Sequence, residues 1–472
     1  MIGRKREKEE LLRARDSDES EFVAVYGRRR VGKTFLVRSL FGAEFTLAHS
    51  GIKNGSRHVQ LARFRKTIVG SGYAECPEFK NWFDAFDALR EVIKRASSQR
   101  KIVFLDEMPW MGRKDKTFIS AVEDFWNGWA SARKDILFIV CGSATSWILN
   151  KVIHSKGGLH GRVSERIRLA PFNLSECEAY AKSLGLIMTR QQIAEMYMIM
   201  GGIPYYWKYL QPSLSPAANV DDIFFAGSDK LENEFEELYA SLFKNKKGYM
   251  KIVTALALKK IGMTREEISR TSGIANSGTL TKYLLELGQC GFIRKYAIPG
   301  NKVKDSVYQL MDNFTLFHFK YIADNAENDA HLWSHSLDAP RHRVWAGLAF
   351  ERLCLWHIEE IKRALGISGV QTNCYAWRKA GTESEKGAQI DMVIDRRDDV
   401  VNLCEMKFAN AEYEIKSDED RWMRERREIF RTDTKTKKSI HLTYITSYGL
   451  VANAYAHDVQ SQVALADLYQ GI

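Results

Sequence analysis

Long apolar runs are missing from this 472-residue sequence. The most apolar stretch, Ile136 to Gly142, falls far short of the roughly 20 residues that a membrane-crossing helix needs, and it fits a buried strand instead. A membrane is therefore not expected as a partner. Cysteine is sparse as well. The seven residues Cys76, Cys141, Cys177, Cys290, Cys354, Cys374 and Cys404 lie scattered, with no CxxC pair and no metal-ligand spacing with histidine, so they read as buried free thiols. No apolar segment follows the charged start Met1-Ile2-Gly3-Arg4-Lys5-Arg6, which is the pattern expected of a cytoplasmic chain rather than a secreted one.

What is present is enough apolar material, 45% of residues, for two to four packed domains. The formal charge of +11 is compatible with a polyanionic partner, but it argues for one only where it is localised.

The most specific signal is Gly27-Arg28-Arg29-Arg30-Val31-Gly32-Lys33-Thr34. The β-favouring run Phe22–Tyr26 precedes it and the apolar helical stretch Thr34–Leu40 follows, which is the strand–loop–helix setting of a phosphate-binding loop. Gly27 and Gly32 let the backbone curl so that successive N–H groups face phosphate oxygens. Lys33 is expected to reach the β- and γ-phosphates, and Thr34 to offer a hydroxyl to Mg²⁺, with ATP as the nucleotide. A second apolar strand, Lys101–Leu105, ends in Asp106 and Glu107. Asp106 is the expected Mg²⁺ partner and Glu107 the group that polarises the attacking water. A third strand, Ile136–Cys141, ends in small hydroxyls, where Ser143 is either a γ-phosphate sensor or the N-cap of a helix near Trp147.

In this order the motifs resemble those of the AAA-type ATPases of the archaeal-predominant, STAND-like group. Gly3-Arg4 with Glu7, Leu11 and Leu12 is similar to the entry segment of that group. Leu159-His160-Gly161-Arg162 resembles its "GR" segment, which implies Arg162 as a phosphate-sensing arginine, in cis within a monomer or in trans within a ring, with Arg166 in reserve. Gly201-Gly202-Ile203-Pro204-Tyr205-Tyr206 resembles the lid motif, which implies Pro204 near the nucleotide; a plain helix-breaking turn is the other reading.

Further along, Lys244 to Lys304 holds 13 Lys or Arg against 3 Asp or Glu and carries a helix-turn-helix pattern. Thr264 with Glu267 reads as a capping box, Ser277–Leu287 as a second helix, and 291–296 with 306–310 as a wing. Bound to DNA, this second helix would present Ser277, Thr279, Thr281 and Lys282; the alternative is a module packed against the rest of the chain. The last 130 residues place Glu351 on an apolar helix, and Asp391, Glu405 and Lys407 on two strands. Acid, then acid-x-lysine on one strand face, is a metal-nuclease constellation in which Asp391 and Glu405 hold Mg²⁺ and Lys407 positions or helps to deprotonate water. The arrangement is similar to the PD-(D/E)xK restriction-endonuclease fold, though Ile390 stands where a proline would precede Asp391.

The expected fold class is α/β: a P-loop parallel-sheet ATPase core (1–170), a helical lid (171–240), a winged helix (241–312), a linker (313–340) and a restriction-endonuclease-like α/β domain (341–472). Two functions are open. One is an ATP-hydrolysing switch that acts on DNA through a nuclease-like domain. The other is a nucleotide-gated scaffold whose inactive nuclease-like domain binds a protein partner. Self-assembly is compatible with both.

Overall fold

The computed structural model describes residues 1–112, 115, 117–155, 157–227, 230–231, 233–243, 245–297, 306–325, 329–381 and 387–470. They form two compact units, Met1–Pro171 and Phe172–Ile472.

The first unit runs α1 (Lys5–Arg15), β1 (Glu21–Tyr26), α2 (Lys33–Phe41), β2 (Phe45–Ser50), α3 (Arg57–Gly70), α4 (Trp82–Arg95), β3 (Lys101–Asp106), α5 (Thr117–Gly128), β4 (Ile136–Gly142) and β5 (Glu165–Arg168). The strands pair in the order β2-β3-β4-β1-β5, and every neighbouring pair is parallel. β4 is buried throughout and β1 along its four central residues, as central strands covered on both faces must be. In α4, Asn81 caps the first turn by accepting from the Asp84 amide, and Trp82, Phe86, Leu89 and Ile93 recur every three to four residues on the buried side. Trp82 meets Phe118 of α5 edge-on at 4.8 Å, and Phe22 of β1 packs on Phe138 of β4 at 4.9 Å. This core holds β1, β3 and β4 in fixed register, so their carboxyl ends emerge along one edge of the sheet.

The second unit opens with helices that include α6 (Leu174–Ser183) and α7 (Arg190–Met200). A small module follows: α8 (Lys246–Ala257), β6 (Met263–Thr264), α9 (Arg265–Ser272), α10 (Gly278–Gln289), β7 (Ile293–Tyr296) and β8 (Val307–Leu310), with the strands antiparallel in the order β6-β8-β7. Thr264 and Glu267 close the capping box at the head of α9. The tip of the expected wing, 298–305, lies outside the described residues. The described residues of 313–340 are not the linker that the sequence suggested. They carry the helices Asn313–Phe317 and Leu332–Ser336, because Phe314, Phe317 and Trp333 are apolar and fully withdrawn from water: Phe314 packs on Tyr206 and Trp333 on Trp345.

The chain ends with α11 (Pro340–Trp356), β9 (Thr372–Lys379), β10 (Ala388–Arg396), β11 (Val400–Lys407), α12 (Ser417–Thr434), β12 (Ser439–Thr446) and β13 (Ser461–Ala464). Their sheet has the order β13-β12-β11-β10-β9; β9, β10 and β11 are antiparallel, whereas β12 and β13 run parallel to β11. Ile261 and Tyr296 of the small module share a core with Tyr375, Trp377 and Ile390 of this sheet. Among the described residues no helix is long and apolar enough to cross a membrane.

Candidate functional site

The loop from Gly27 to Thr34 leaves β1 at the carboxyl edge of the first sheet. Gly27 takes φ +146°, and a Cβ there would lie 2.3 Å from the Leu169 carbonyl oxygen, so only glycine lets the loop pass β5. Arg30 (φ +72°) and Gly32 (φ +95°) sit in left-handed conformations that bend the loop into the start of α2. Arg28 and Val31 are buried and Arg29 is half-buried. The loop is braced from both sides. Arg4, itself left-handed ahead of α1, donates to the Val31 carbonyl at 3.3 Å, and the Lys33 ammonium donates to the carbonyls of Gly27 (3.1 Å) and Arg28 (2.8 Å).

Across the edge, the Thr34 hydroxyl donates to both carboxylate oxygens of Asp106, at 2.9 and 3.1 Å. Burial raises the Asp106 pKa and the charge of Glu107 adds to this, while hydrogen bonds from Thr34, Cys141 and the Glu107 amide oppose it. Glu107 itself holds φ +47°, a conformation that costs a residue with a Cβ about 1–2 kcal/mol. Its carboxylate accepts the Ser143 hydroxyl at 2.6 Å and the Ser143 amide at 3.4 Å. Ser143 is thus no N-cap: the helix Thr145–Ile148 starts after Ala144 without a side-chain cap. Sequence reasoning missed Arg4 as a brace of the loop, and missed Cys141, whose thiol hydrogen-bonds Asp106.

Arg162 is not brought to this edge. The Ser164 amide donates to the Phe22 carbonyl, and the strand from Phe22 to Gly27 covers about 16 Å, so Arg162 lies beyond the opposite end of the sheet, exposed and out of reach of its own chain's loop. The reading of Arg162 as a sensor in cis is corrected accordingly. The parallel register of β5 against β1, which sequence alone does not give, decides the matter. Arg166 is exposed on β5, level with Ala24.

In the second unit, Pro204 is the first residue of a short helix, Pro204–Trp207. The glycines ahead of it have a packing reason: a Cβ on Gly202 would lie 1.8 Å from the Phe172 carbonyl oxygen, and the Phe172 amide donates to the Gly202 carbonyl at 2.6 Å.

The C-terminal acids do come together, but around protein cations. The register that pairs Met392 with Cys404 sets Asp391 level with Glu405 on the neighbouring strand. The Lys260 ammonium, from the turn between α8 and β6, bridges Glu351 (2.6 Å) and Asp391 (2.8 Å). Glu405 is held by Lys407 at 2.9 Å and by Arg426 at 3.1 Å. Burial, with the charge of Asp391, pushes the Glu351 carboxyl up to about 7, against the pull of Lys260. For Lys407, burial opposes the charge, but Glu405 and Glu419 outweigh it and raise the pKa. Lys407 thus lies between two carboxylates, Glu405 at 2.9 Å and Glu419 at 3.2 Å. Among the described residues no three His, Cys, Asp or Glu side chains are spaced to hold one metal ion. The expected Mg²⁺ site at Asp391 and Glu405 therefore does not fit a metal in this arrangement, because the ammonium of Lys260 and the guanidinium of Arg426 already neutralise the acids.

Residues 1–210 match the family model described as an ATPase domain predominantly from Archaea. An uncharacterized protein of Methanocaldococcus jannaschii is 25% identical over 428 residues, covering 87% of this chain and 88% of that protein. Among solved structures, a Walker-type ATPase of Pyrococcus abyssi is similar at 16% identity and a TM-score of 0.47, covering 67% of this chain and 95% of that one. The ORC2 protein of Aeropyrum pernix, in its ADPNP–ADP complexes, is similar at 13% identity and a TM-score of 0.45, covering 71% of this chain and 96% of that one. The loop, the acidic strand and the order of the strands agree with the match of residues 1–210 to an ATPase-domain family model.

Proposed function

We propose that this protein is a Mg²⁺-dependent, ATP-hydrolysing switch whose nucleotide state acts on a DNA-binding, nuclease-like C-terminal half. The observation that carries the hydrolytic reading is the set Lys33, Thr34, Asp106, Glu107 and Ser143 along one sheet edge, with the Thr34 hydroxyl on Asp106 and the Glu107 carboxylate on Ser143. The donor set fits Mg²⁺: a hydroxyl and a buried carboxylate, both hard oxygen ligands, lie side by side at the head of α2. Bound there, the ion supplies positive charge to the β- and γ-phosphate oxygens.

The rest falls to the chain's own groups. Lys33 exchanges its two loop carbonyls for phosphate oxygens, and the loop amides and the positive end of α2 receive the anion. Glu107, oriented by Ser143, accepts the proton of the attacking water. Lys33→Ala is expected to abolish nucleotide binding, and Glu107→Gln to keep binding while stopping phosphate release. Equal turnover by wild type and Glu107→Gln would remove Glu107 from this role. Arg162, beyond the opposite end of the sheet, serves only a neighbouring copy's nucleotide; mixing inactive Lys33→Ala with Arg162→Ala protein then restores turnover, whereas Arg162→Ala protein as active alone as wild type would leave Arg162 without a part.

The order helix–strand–helix–helix–hairpin of the small module supports a winged helix. Thr279, Thr281 and Lys282 of α10 are exposed, which favours DNA as its partner. The order helix, three antiparallel strands, helix and parallel strand in the C-terminal part supports the PD-(D/E)xK reading. A second reading, a scaffold that cuts nothing, is favoured by the neutralised acids. Incubation of linear, nicked and single-stranded DNA with Mg²⁺ or Mn²⁺, with and without ATP, separates the two. Cleavage that persists in Asp391→Ala/Lys407→Ala protein would be contamination.

A further inference from the structure

Among the described residues of the small module, Lys260 makes the direct ionic contact with the acids Glu351 and Asp391, and its place is fixed at both ends. Its ammonium bridges the two carboxylates at 2.6 and 2.8 Å. Its own carbonyl accepts from Arg352, the residue next to Glu351 on α11, and from Gln309 of β8 at 2.8 Å. Gln309 in turn accepts from Arg294 of β7 at 2.7 Å, and Asp391 accepts from Gln389 at 2.7 Å. One continuous chain of polar contacts thus links the β6–β8 sheet to the acids. A second link runs beside it, where Glu267 of α9 receives Lys259 at 2.6 Å and Arg378 of β9 at 3.3 Å.

We propose that Lys260 is a tethered cation standing in for a divalent ion at Glu351 and Asp391, so that the C-terminal site accepts metal only when the small module withdraws the lysine. The proposal rests on the PD-(D/E)xK reading above. The charge argument is direct. Glu351 is nine-tenths buried and sits beside a second carboxylate, so the pair needs a compensating cation from some source, and a buried pair left without one is strongly destabilised. An ammonium on a flexible stem supplies it at low cost, and its side chain keeps 42% of its surface exposed, which leaves it an exit towards solvent. A divalent ion in the same position would meet the Lys260 charge at contact distance, so the two exclude each other. The module that carries Lys260 also carries α10.

The test is Mn²⁺ binding by the full-length, nucleotide-free protein, followed by electron paramagnetic resonance, for wild type, K260M, K260M/D391N and K259M. K260M is expected to bind Mn²⁺ about tenfold tighter than wild type or more, D391N to abolish the gain, and K259M to behave as wild type. Should K260M fail to fold, K260Q keeps a hydrogen-bond donor on the acids and is expected to shift affinity in the same direction. Equal Mn²⁺ affinity in wild type and K260M, lowered in K260M/D391N, would overturn the tethered cation while leaving a metal site in place. No Mn²⁺ binding that depends on Asp391 in any variant would overturn both the inference and the metal-nuclease reading beneath it.

Discussion

Ser143 donates its hydroxyl to Glu107 at 2.6 Å across the carboxyl ends of β4 and β3. Glu107 sits at φ +47° at the end of β3, in a backbone conformation that is held only where neighbours insist on it. In the mechanism proposed above, Ser143 acts on water through Glu107, as a positioning residue.

Replacing Ser143 by Ala should therefore lower kcat about tenfold while leaving ATP affinity within about twofold, because the lost bond aims the base and touches no phosphate in this form. In a Glu107→Gln background the same change should cost nothing further, since the group it positions is already disabled. Steady-state phosphate release and nucleotide titration on the four proteins give the answer. An additive loss in the double variant would place Ser143 on the phosphate instead.

The nucleotide loop was legible because its signals are local: two glycines, a lysine and a threonine within eight residues, flanked by a strand and a helix. What the sequence could not provide was lateral order. Glu107 and Ser143 meet because β3 lies beside β4, and Arg162 is excluded from its own loop because β5 runs parallel to β1. The C-terminal acids were legible by their alternation on strands, but Lys260 reaches Asp391 across 131 residues with no motif to announce it. The supposed linker at 313–340 was misread because its aromatic residues are spread among polar ones, and their burial is decided by partners such as Tyr206 and Trp345.

Two glycines of the loop should respond differently to a methyl group. At Gly27 the added Cβ meets the Leu169 carbonyl 2.3 Å away, and backbone on both sides cannot yield, so Gly27→Ala should cost about 3 kcal/mol or more. At Gly32 nothing lies within 4 Å, and only the φ of +95° is strained, so Gly32→Ala should cost about 1–2 kcal/mol. Denaturant unfolding of the ATPase transition ranks them; the reverse order would show that the loop relaxes away from β5.

Acid should weaken the first unit through His49. The ring is buried against Phe64, with Nδ1 2.8 Å from the Thr67 hydroxyl, and burial, reinforced by Arg63, pushes its pKa down to about 4. The folded state thus keeps the ring neutral where the unfolded chain protonates it, so stability is full above about pH 6.5 and falls as pH drops towards 4, by about 2 kcal/mol at pH 5. His49→Phe should flatten the pH dependence of the unfolding midpoint between pH 7 and 5. Parallel curves for the two proteins would clear His49 of the effect.

The small module carries a prediction that separates electrostatic DNA contact from a purely structural role. Its β6–β8 edge packs on the C-terminal sheet through Ile261 and Tyr296, while Lys282 on α10 stays exposed, so a structural role already has its surface and leaves the α10 face unused. Each lysine that neutralises a phosphate adds close to one unit to the slope of log affinity against log salt. Lys282→Ala should reduce that slope by about one and weaken binding to all duplex sequences alike, whereas Thr279→Ala should change preference among sequences with the slope intact. Arg265 donates to the Thr281 hydroxyl at 2.6 Å and to the Ser277 carbonyl at 2.8 Å, which holds α10 against α9 in the absence of any ligand. Lys282→Ala protein with wild-type affinity and slope would leave the module with packing as its whole task.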